Sequence, residues 1–213
     1  TKIAFETMLG SATKATYLIS ELQKESSKSP LEESDYQQSA KTLLNFGVAG
    51  NSIVPTLKML GDISLGNADR FRGMSLAFGQ TSATGRLMGQ DLNQMINAGF
   101  NPLQEISRTT GESMASLKKR MEDGSISVQD VANAFKTATS EGGRFFGSTD
   151  KQSQTISGLF STMKDNVGKA LKSLGDDISN ALNLKDLLPK ISETLGSITS
   201  AFSNLDPAVK KAL

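Results

Sequence analysis

The stretch TSEGGRFFGSTDKQSQTISGL, from Thr139 to Leu159, separates two parts of the chain that carry different patterns of apolar residues. Two consecutive phenylalanines, Phe145 and Phe146, stand in it between glycines, and charged and hydroxyl side chains flank them. Glycine adopts backbone conformations that other residues avoid, so the stretch predicts a break in regular structure. What the two phenylalanines do at this break depends on the sequence on either side.

The part of the chain before this stretch carries the apolar spacing of short amphipathic helices. Apolar residues recur three and four positions apart, and polar residues suited to capping a helix precede several of these segments. The predicted N-caps are Ser11, Ser52, Asn101 and Ser127. Asp130 follows Ser127 by three residues, which is the spacing of a capping box. Because the alternating pattern of strands is missing, we predict a compact all-α head of several helices.

The part of the chain after the stretch follows a different rule. Apolar residues there recur in alternating steps of four and three over about seven heptads, the spacing of a coiled-coil seam. Within this run only Asp177 is not apolar. The principal positions of the predicted oligomer seam are Ile156, Phe160, Met163, Val167, Leu174, Asp177, Leu188, Ile191, Leu195, Ile198 and Phe202.

The same arm contains residues that weaken a long helix. Glycine in a helix interior costs about 1 kcal/mol relative to alanine, and proline breaks or kinks the helix. The interrupting residues are Gly158, Gly168, Gly175, Pro189 and Gly196. Two alternatives therefore stay open: a self-associating coiled coil, or ordinary amphipathic helices that pack on the head.

These patterns predict an all-α fold in three parts. A multi-helix globular head occupies residues 1–140, a Gly/Phe hinge residues 141–152, and a long heptad-patterned helical arm residues 153–213. The candidate hinge and partner-contact residues are Gly142, Gly143, Phe145, Phe146 and Gly147. The phenylalanines either fold back on the head or on a partner chain and set the hinge angle, or they fill the end of the core of the head.

Composition argues against most catalytic chemistry. The chain has no cysteine and no histidine, which removes thiolate and imidazole ligands and the commonest general base. Its 23 basic and 22 acidic residues balance to a net charge of +1, which gives no argument for nucleic-acid binding. The carboxylate clusters at 32–35 and 176–177 are interpreted as helix-start charges. We predict no enzyme activity and no catalytic, cofactor or metal site.

Five segments carry a family resemblance. They are FETMLGSATKATYLISELQ from Phe5, AKTLLNFGV from Ala40, PTLKMLGDISLGN from Pro55, LAFGQTSATGRLMGQDLNQMINAGFNPLQEIS from Leu76, and TSEGGRFFGSTDKQSQTISGL from Thr139. Over roughly residues 3–165 the chain resembles the tape-measure domain of phage tail tape-measure proteins. The blocks GRLMGQDLNQ and SEGGRFF are the most specific parts of this resemblance.

The resemblance implies a structural protein in the lumen of a phage or prophage-derived tail. Such a protein is made in the host cytoplasm, sets tail length, scaffolds tail-tube assembly and takes part in genome delivery. The implied partners are the tail tube protein, tail assembly chaperones and tail-tip or baseplate proteins, with the arm self-associating as a trimer. No sequence-specific nucleic-acid contact is implied, and membrane contact is expected only through parts of a longer parent chain.

Two other classes of function remain as alternatives to this interpretation. One is a tail segment associated with a cell-wall hydrolase, because long tail proteins can carry such domains. The other is a generic helical adaptor or secreted effector. The absence of histidine and cysteine counts against the first, and the motif blocks count against the second.

Overall fold

The computed structural model describes residues 1–154 and 165–173, together with Glu193, Gly196 and Ser200. The chain forms two compact units, Thr1–Gly158 and Leu159–Leu213. The described residues are mainly helical and include no strand. The predicted all-α fold is therefore confirmed, whereas the division into head, hinge and arm stays a prediction.

Residues 1–154 contain ten α-helices joined by short turns. The helices are α1 Lys2–Leu9, α2 Ala12–Ser26, α3 Glu33–Asn45, α4 Ile53–Ser64, α5 Ala68–Thr84, α6 Gly89–Asn97, α7 Pro102–Thr110, α8 Met114–Glu122, α9 Val128–Thr139 and α10 Ser148–Ser153. A 3₁₀ turn, Gly50–Ser52, leads into α4. In the second unit, the described residues 165–173 are helical.

Three of the four predicted N-caps make the expected side-chain hydrogen bond. The side chain of Ser11 accepts from the backbone N–H of Lys14 at 3.3 Å, and that of Asn101 accepts from the N–H of Gln104 at 3.2 Å. The side chain of Ser127 accepts from the backbone N–H of Asp130 and so caps α9. A side-chain oxygen at this position satisfies one of the amide groups that a helix start leaves without a partner.

The predicted cap at Ser52 is wrong in detail. Ser52 does precede α4, but it ends the 3₁₀ turn and its backbone is already helical, with φ −92° and ψ −11°. A capping residue needs an extended backbone for its side chain to reach back over the first turn. Ser52 therefore makes no side-chain cap hydrogen bond.

Helix α5 lies at the centre of the first unit, where it packs against α3, α4 and α6. Helix α9 packs against α4 and α7, and α10 contacts α4. The largest fully buried side chains of this core include Phe5, Leu22, Tyr36, Leu43, Phe71, Phe100 and Phe135. Burying each such side chain contributes about 1.5–3 kcal/mol, so apolar packing is the main source of stability.

A short β-bridge ties two loops together and positions the start of α9. The N–H of Leu87 donates to the carbonyl of Ile126 at 2.9 Å, and the N–H of Val128 donates to the carbonyl of Gly85 at 3.0 Å. Val128 is the first residue of α9, so its amide would otherwise lack a partner. The bridge thus joins the loop before α6 to the loop before α9.

The acidic residues at 32–35 do more than begin a helix. Asp35 is 7% exposed, and its carboxylate accepts from the backbone N–H of Glu32 at 3.2 Å. The same carboxylate pairs with the guanidinium of Arg72 on α5. The sequence-based interpretation as helix-start charges is correct in place, but Asp35 also links α3 to α5.

Replacing Ser127 with alanine tests the capping box of α9. The Ser127 hydroxyl accepts from the N–H of Asp130 at 3.1 Å, and the Asp130 carboxylate accepts from the N–H of Ser127 at 2.9 Å. We expect Ser127→Ala to lower the free energy of unfolding by about 1 kcal/mol, which corresponds to about 2–4 °C in Tm for a domain of this size. Thermal and urea unfolding measure this. Lys136→Ala, at an exposed position of the same helix, is the control, and equal stability of the two variants would contradict the prediction.

Candidate functional site

The two phenylalanines of the Gly/Phe stretch lie in different environments. Phe145 is 8% exposed and belongs to the hydrophobic core, whereas Phe146 is 49% exposed. Phe145 therefore has the position expected of a residue that fills the end of the core, and Phe146 does not. The role of Gly142, Gly143, Phe145, Phe146 and Gly147 as hinge or partner contact stays a prediction.

Phe145 is the last member of a row of aromatic rings that crosses the core. Its ring centroid lies 6.1 Å from that of Phe100, which lies 4.5 Å from that of Phe135, and Phe135 lies 5.6 Å from Phe78 on α5. Such pairs contribute about 0.5–1.5 kcal/mol each beyond their burial. The guanidinium of Arg144 lies 4.6 Å from the centroid of the Phe145 ring, a cation–π contact. The Gly/Phe stretch is thus joined to the core through one ring.

A close backbone approach brings Phe145 to this place. The N–H of Phe145 donates to the carbonyl of Ala138, in the last turn of α9, at 2.9 Å. Gly143 lies inside this reversal, where a Cβ atom would stand only 2.5 Å from the carbonyl oxygen of Ala138 and would also clash with that of Thr137. Backbone oxygens cannot move aside as a flexible side chain can, so this position requires glycine.

Helix α10, which follows, is held on α4 by a carboxylate. Asp62, in the last turn of α4, accepts a hydrogen bond of 2.8 Å from the backbone N–H of Thr149. Thr149 is the second residue of α10, and Gly147 at the N-cap position has no side chain with which to cap it. A residue 87 positions earlier in the sequence therefore supplies the missing acceptor.

A cleft of about 550 Å³ lies beside α10 and is called the α10 cleft below. Its charged lining residues are Glu25, Lys28, Lys58, Asp62, Asp150 and Lys151, and its aromatic ones are Tyr36 and Phe146. The three lysines and three carboxylates balance one another. The lining therefore favours water and internal ion pairs over a ligand of one charge sign.

Burial changes the acidity of two groups in this cleft. Loss of hydration raises the pKa of the Asp62 carboxyl above its usual range, while the hydrogen bond from the Thr149 N–H opposes the change and the charge of Asp150 adds to it. Burial also raises the pKa of the Tyr36 phenol to about 12, so Tyr36 is neutral at physiological pH. Ionised Asp62 therefore carries a desolvation cost that its hydrogen bond only partly offsets.

Sequence reasoning did not identify Asp62 or α10. Asp62 stands in the segment LKMLGDIS, where a single carboxylate among apolar residues is the only sign of a buried acceptor. Its partner is a backbone amide, which has no signature in the side-chain pattern. A six-residue helix of polar residues, STDKQS, likewise has no apolar stripe from which it could be predicted.

The predicted oligomer seam falls mostly on residues that the structure does not describe. Val167 lies in the described helical segment 165–173 and is half-buried. The other seam residues, Ile156, Phe160, Met163, Leu174, Asp177, Leu188, Ile191, Leu195, Ile198 and Phe202, lie outside the described residues. The coiled coil and its trimeric state therefore stay predictions.

Neither a metal-ligand cluster nor a membrane-spanning helix occurs in the described part of the chain. Within residues 1–154 and 165–173, no three Asp, Glu, His or Cys side chains are grouped as ligands for a metal ion. None of the helices described there combines the length and the hydropathy that crossing a bilayer requires. The absence of a catalytic or cofactor site stays a prediction from composition.

Alanine variants of the two phenylalanines separate their roles. Phe145→Ala should lower the free energy of unfolding by about 3–5 kcal/mol, because it leaves a cavity at the end of the aromatic row. Phe146→Ala, the matched control, should change it by less than about 0.5 kcal/mol, because that ring is half-exposed. Urea unfolding measures both. Equal losses in the two variants would show that Phe146 also stabilises the fold.

The raised pKa of Asp62 predicts a specific dependence of stability on pH. Between the unfolded-state pKa of about 3.9 and the raised native pKa, the folded state binds more protons than the unfolded state, so the contribution of Asp62 to stability falls as pH rises. We expect the free energy of unfolding of the wild type, minus that of Asp62→Asn, to decrease with pH through this window and to level off above it. Urea unfolding over a pH series measures the difference, and an increase with pH would contradict the assignment.

Comparison with protein families places these features in context. A family model described as tape measure protein matches residues 1–176, which include the described residues 1–154 and 165–173. No curated protein and no solved structure matches the chain at a significant level. Tape measure proteins are structural, non-enzymatic components of the phage tail that associate with other tail proteins. Because the match covers most of the 213 residues, the chain belongs to the tape measure protein family of phage tails.

Proposed function

We propose that this chain sets the length of a phage or prophage-derived tail, scaffolds the assembly of the tail tube from within its lumen, and takes part in genome delivery. The observation that carries this proposal is the family match over residues 1–176. The match favours neither a segment associated with a cell-wall hydrolase nor a generic helical adaptor. The proposed role requires shape and length rather than reactive groups.

The helical character of the chain supports a measuring role. An α-helix advances about 1.5 Å per residue, so the length of a continuous helix is proportional to the number of residues in it. The arm carries apolar residues at heptad spacing from Ile156 to Phe202. In the proposal, this seam joins three copies of the chain into a rod that stays straight over its length.

Contacts with other tail proteins are the second part of the proposal. The partners are the tail tube protein, the tail assembly chaperones and the tail-tip or baseplate proteins. Phe146 supports a contact of this kind, because a half-exposed aromatic ring is typical of residues that anchor protein interfaces. Phe145, which is buried in the core, is not available for such a contact.

An insertion in the arm tests the measuring role. Adding 21 residues in heptad pattern after Leu174, in the parent gene, keeps the seam in phase and should lengthen tails by about 30 Å. The matched control is an insertion of 19 residues at the same place, which adds similar length but turns the seam by about 100° or more away from its original face, so it should assemble poorly. Electron micrographs of the tails measure both effects.

The tail lengths also show whether the arm or the rest of the parent chain measures the tail. Tails of unchanged length with the in-phase insertion would mean that the arm does not measure. The chain would then act as a folded end-piece, with the remainder of a longer parent chain as the ruler. Equal assembly with the two insertions would mean that the heptad phase is not used.

A further inference from the structure

We propose that α10 is a strap that detaches from α4 as a unit, by rotation about Gly147, while Phe145 remains in the core. The strap consists of residues 148–153. Asp62 is the residue that holds it in the attached position. The proposal concerns this one helix and does not depend on the role of the chain in a tail.

The contacts on the two sides of Gly147 differ in kind. Before it, Phe145 is buried against Phe100, and its N–H is bonded to the carbonyl of Ala138 in α9. After it, none of the six residues of α10 is buried. Segments with few buried apolar contacts open at a lower free energy than the core. Opening of α10 is therefore expected without disturbance of Phe145.

Gly147 has the properties of a pivot. Its backbone is in the left-handed region, with φ 61°, and a Cβ atom added to it would meet nothing within 4 Å. Glycine crosses between left-handed and right-handed regions with little steric cost. Space around the residue and freedom within it both permit α10 to rotate.

The attachment of α10 to α4 is correspondingly slight. Its long-range side-chain hydrogen bond runs from the N–H of Thr149 to the carboxylate of Asp62 at 2.8 Å. Lys151 donates to the carbonyl of Phe146 at 3.2 Å, but this bond is local to the pivot. Between α10 and its neighbours lies the α10 cleft, whose charged lining is already suited to water. Detachment breaks this charge-assisted bond, and it exposes little apolar surface because no residue of α10 is buried.

Amide hydrogen exchange in the 213-residue chain, followed by NMR, tests the strap. The reporters are the amides of Thr149 and Lys151 on the strap and that of Phe145 in the core. We expect the strap amides to exchange at least about 100-fold faster than the Phe145 amide, because local opening precedes global unfolding. Low concentrations of urea should accelerate exchange at Phe145 and leave the strap rates unchanged.

Variants of Asp62 test whether its carboxylate holds α10 on α4. Asp62→Ala should speed exchange of the Lys151 amide about tenfold, because it removes one hydrogen bond to a charged group. The exchange rate of the Phe145 amide should change by less than about twofold. Asp62→Asn retains an acceptor oxygen and should keep the rate within about threefold of the wild type. The control is Glu25→Gln, which removes a carboxylate that lines the same cleft from α2 and should leave the strap rates unchanged.

Two results would overturn the proposal. If exchange at Thr149 and Lys151 had the same rate and the same urea dependence as exchange at Phe145, α10 would be part of the cooperative core. If Asp62→Ala changed the exchange rate of the Phe145 amide as much as that of the Lys151 amide, Asp62 would stabilise the whole fold and not α10 alone. Should Asp62→Ala fail to fold, the wild-type comparison and Asp62→Asn decide the question.

Discussion

The row of rings Phe78, Phe135, Phe100 and Phe145 is the interaction on which the rest of the structure depends. It joins α9 and the Gly/Phe stretch that follows it to two distant parts of the sequence, α5 and the turn before α7. Rings of this size bury large apolar areas and prefer tilted or edge-to-face contact, so they specify both stability and orientation. The position of α9 within the first unit follows from this contact.

Two kinds of interaction hold the residues that follow α9. Packing holds Phe145, whereas hydrogen bonding to Asp62 holds α10. Packing cannot be replaced by water, because the alternative is a cavity or an exposed ring. A hydrogen bond is exchanged for one with water at a net cost of only about 0.5–3 kcal/mol. The two adjacent segments therefore differ in how firmly they are attached, although only a few residues separate them.

Membership of the tape measure protein family fits a composition without histidine and cysteine. A structural protein of a tail needs defined helices and partner surfaces, and neither requires histidine or cysteine. The same reasoning explains why the buried carboxylates of the described residues have structural partners. Asp35 pairs with Arg72, and Asp62 caps α10. Each fixes one helix relative to another.

The amino-acid sequence by itself determined the all-α class, the starts of several helices and the family. Caps such as Ser11, Asn101 and Ser127 are local, because a side chain satisfies amides three residues away and the spacing is visible in the sequence. The tertiary structure alone decided three features: the different burial of Phe145 and Phe146, the hydrogen bond by which Asp62 caps α10, and the pairing of Asp35 with Arg72. Each of these features depends on a contact between groups that are far apart in the chain, and the group that Asp62 binds is a backbone amide. Phe145 and Phe146 are identical neighbours in the sequence, and a backbone amide has no signature in the side-chain pattern. Their roles differ only because folding brings a distant partner to Phe145 and leaves Phe146 half-exposed to water.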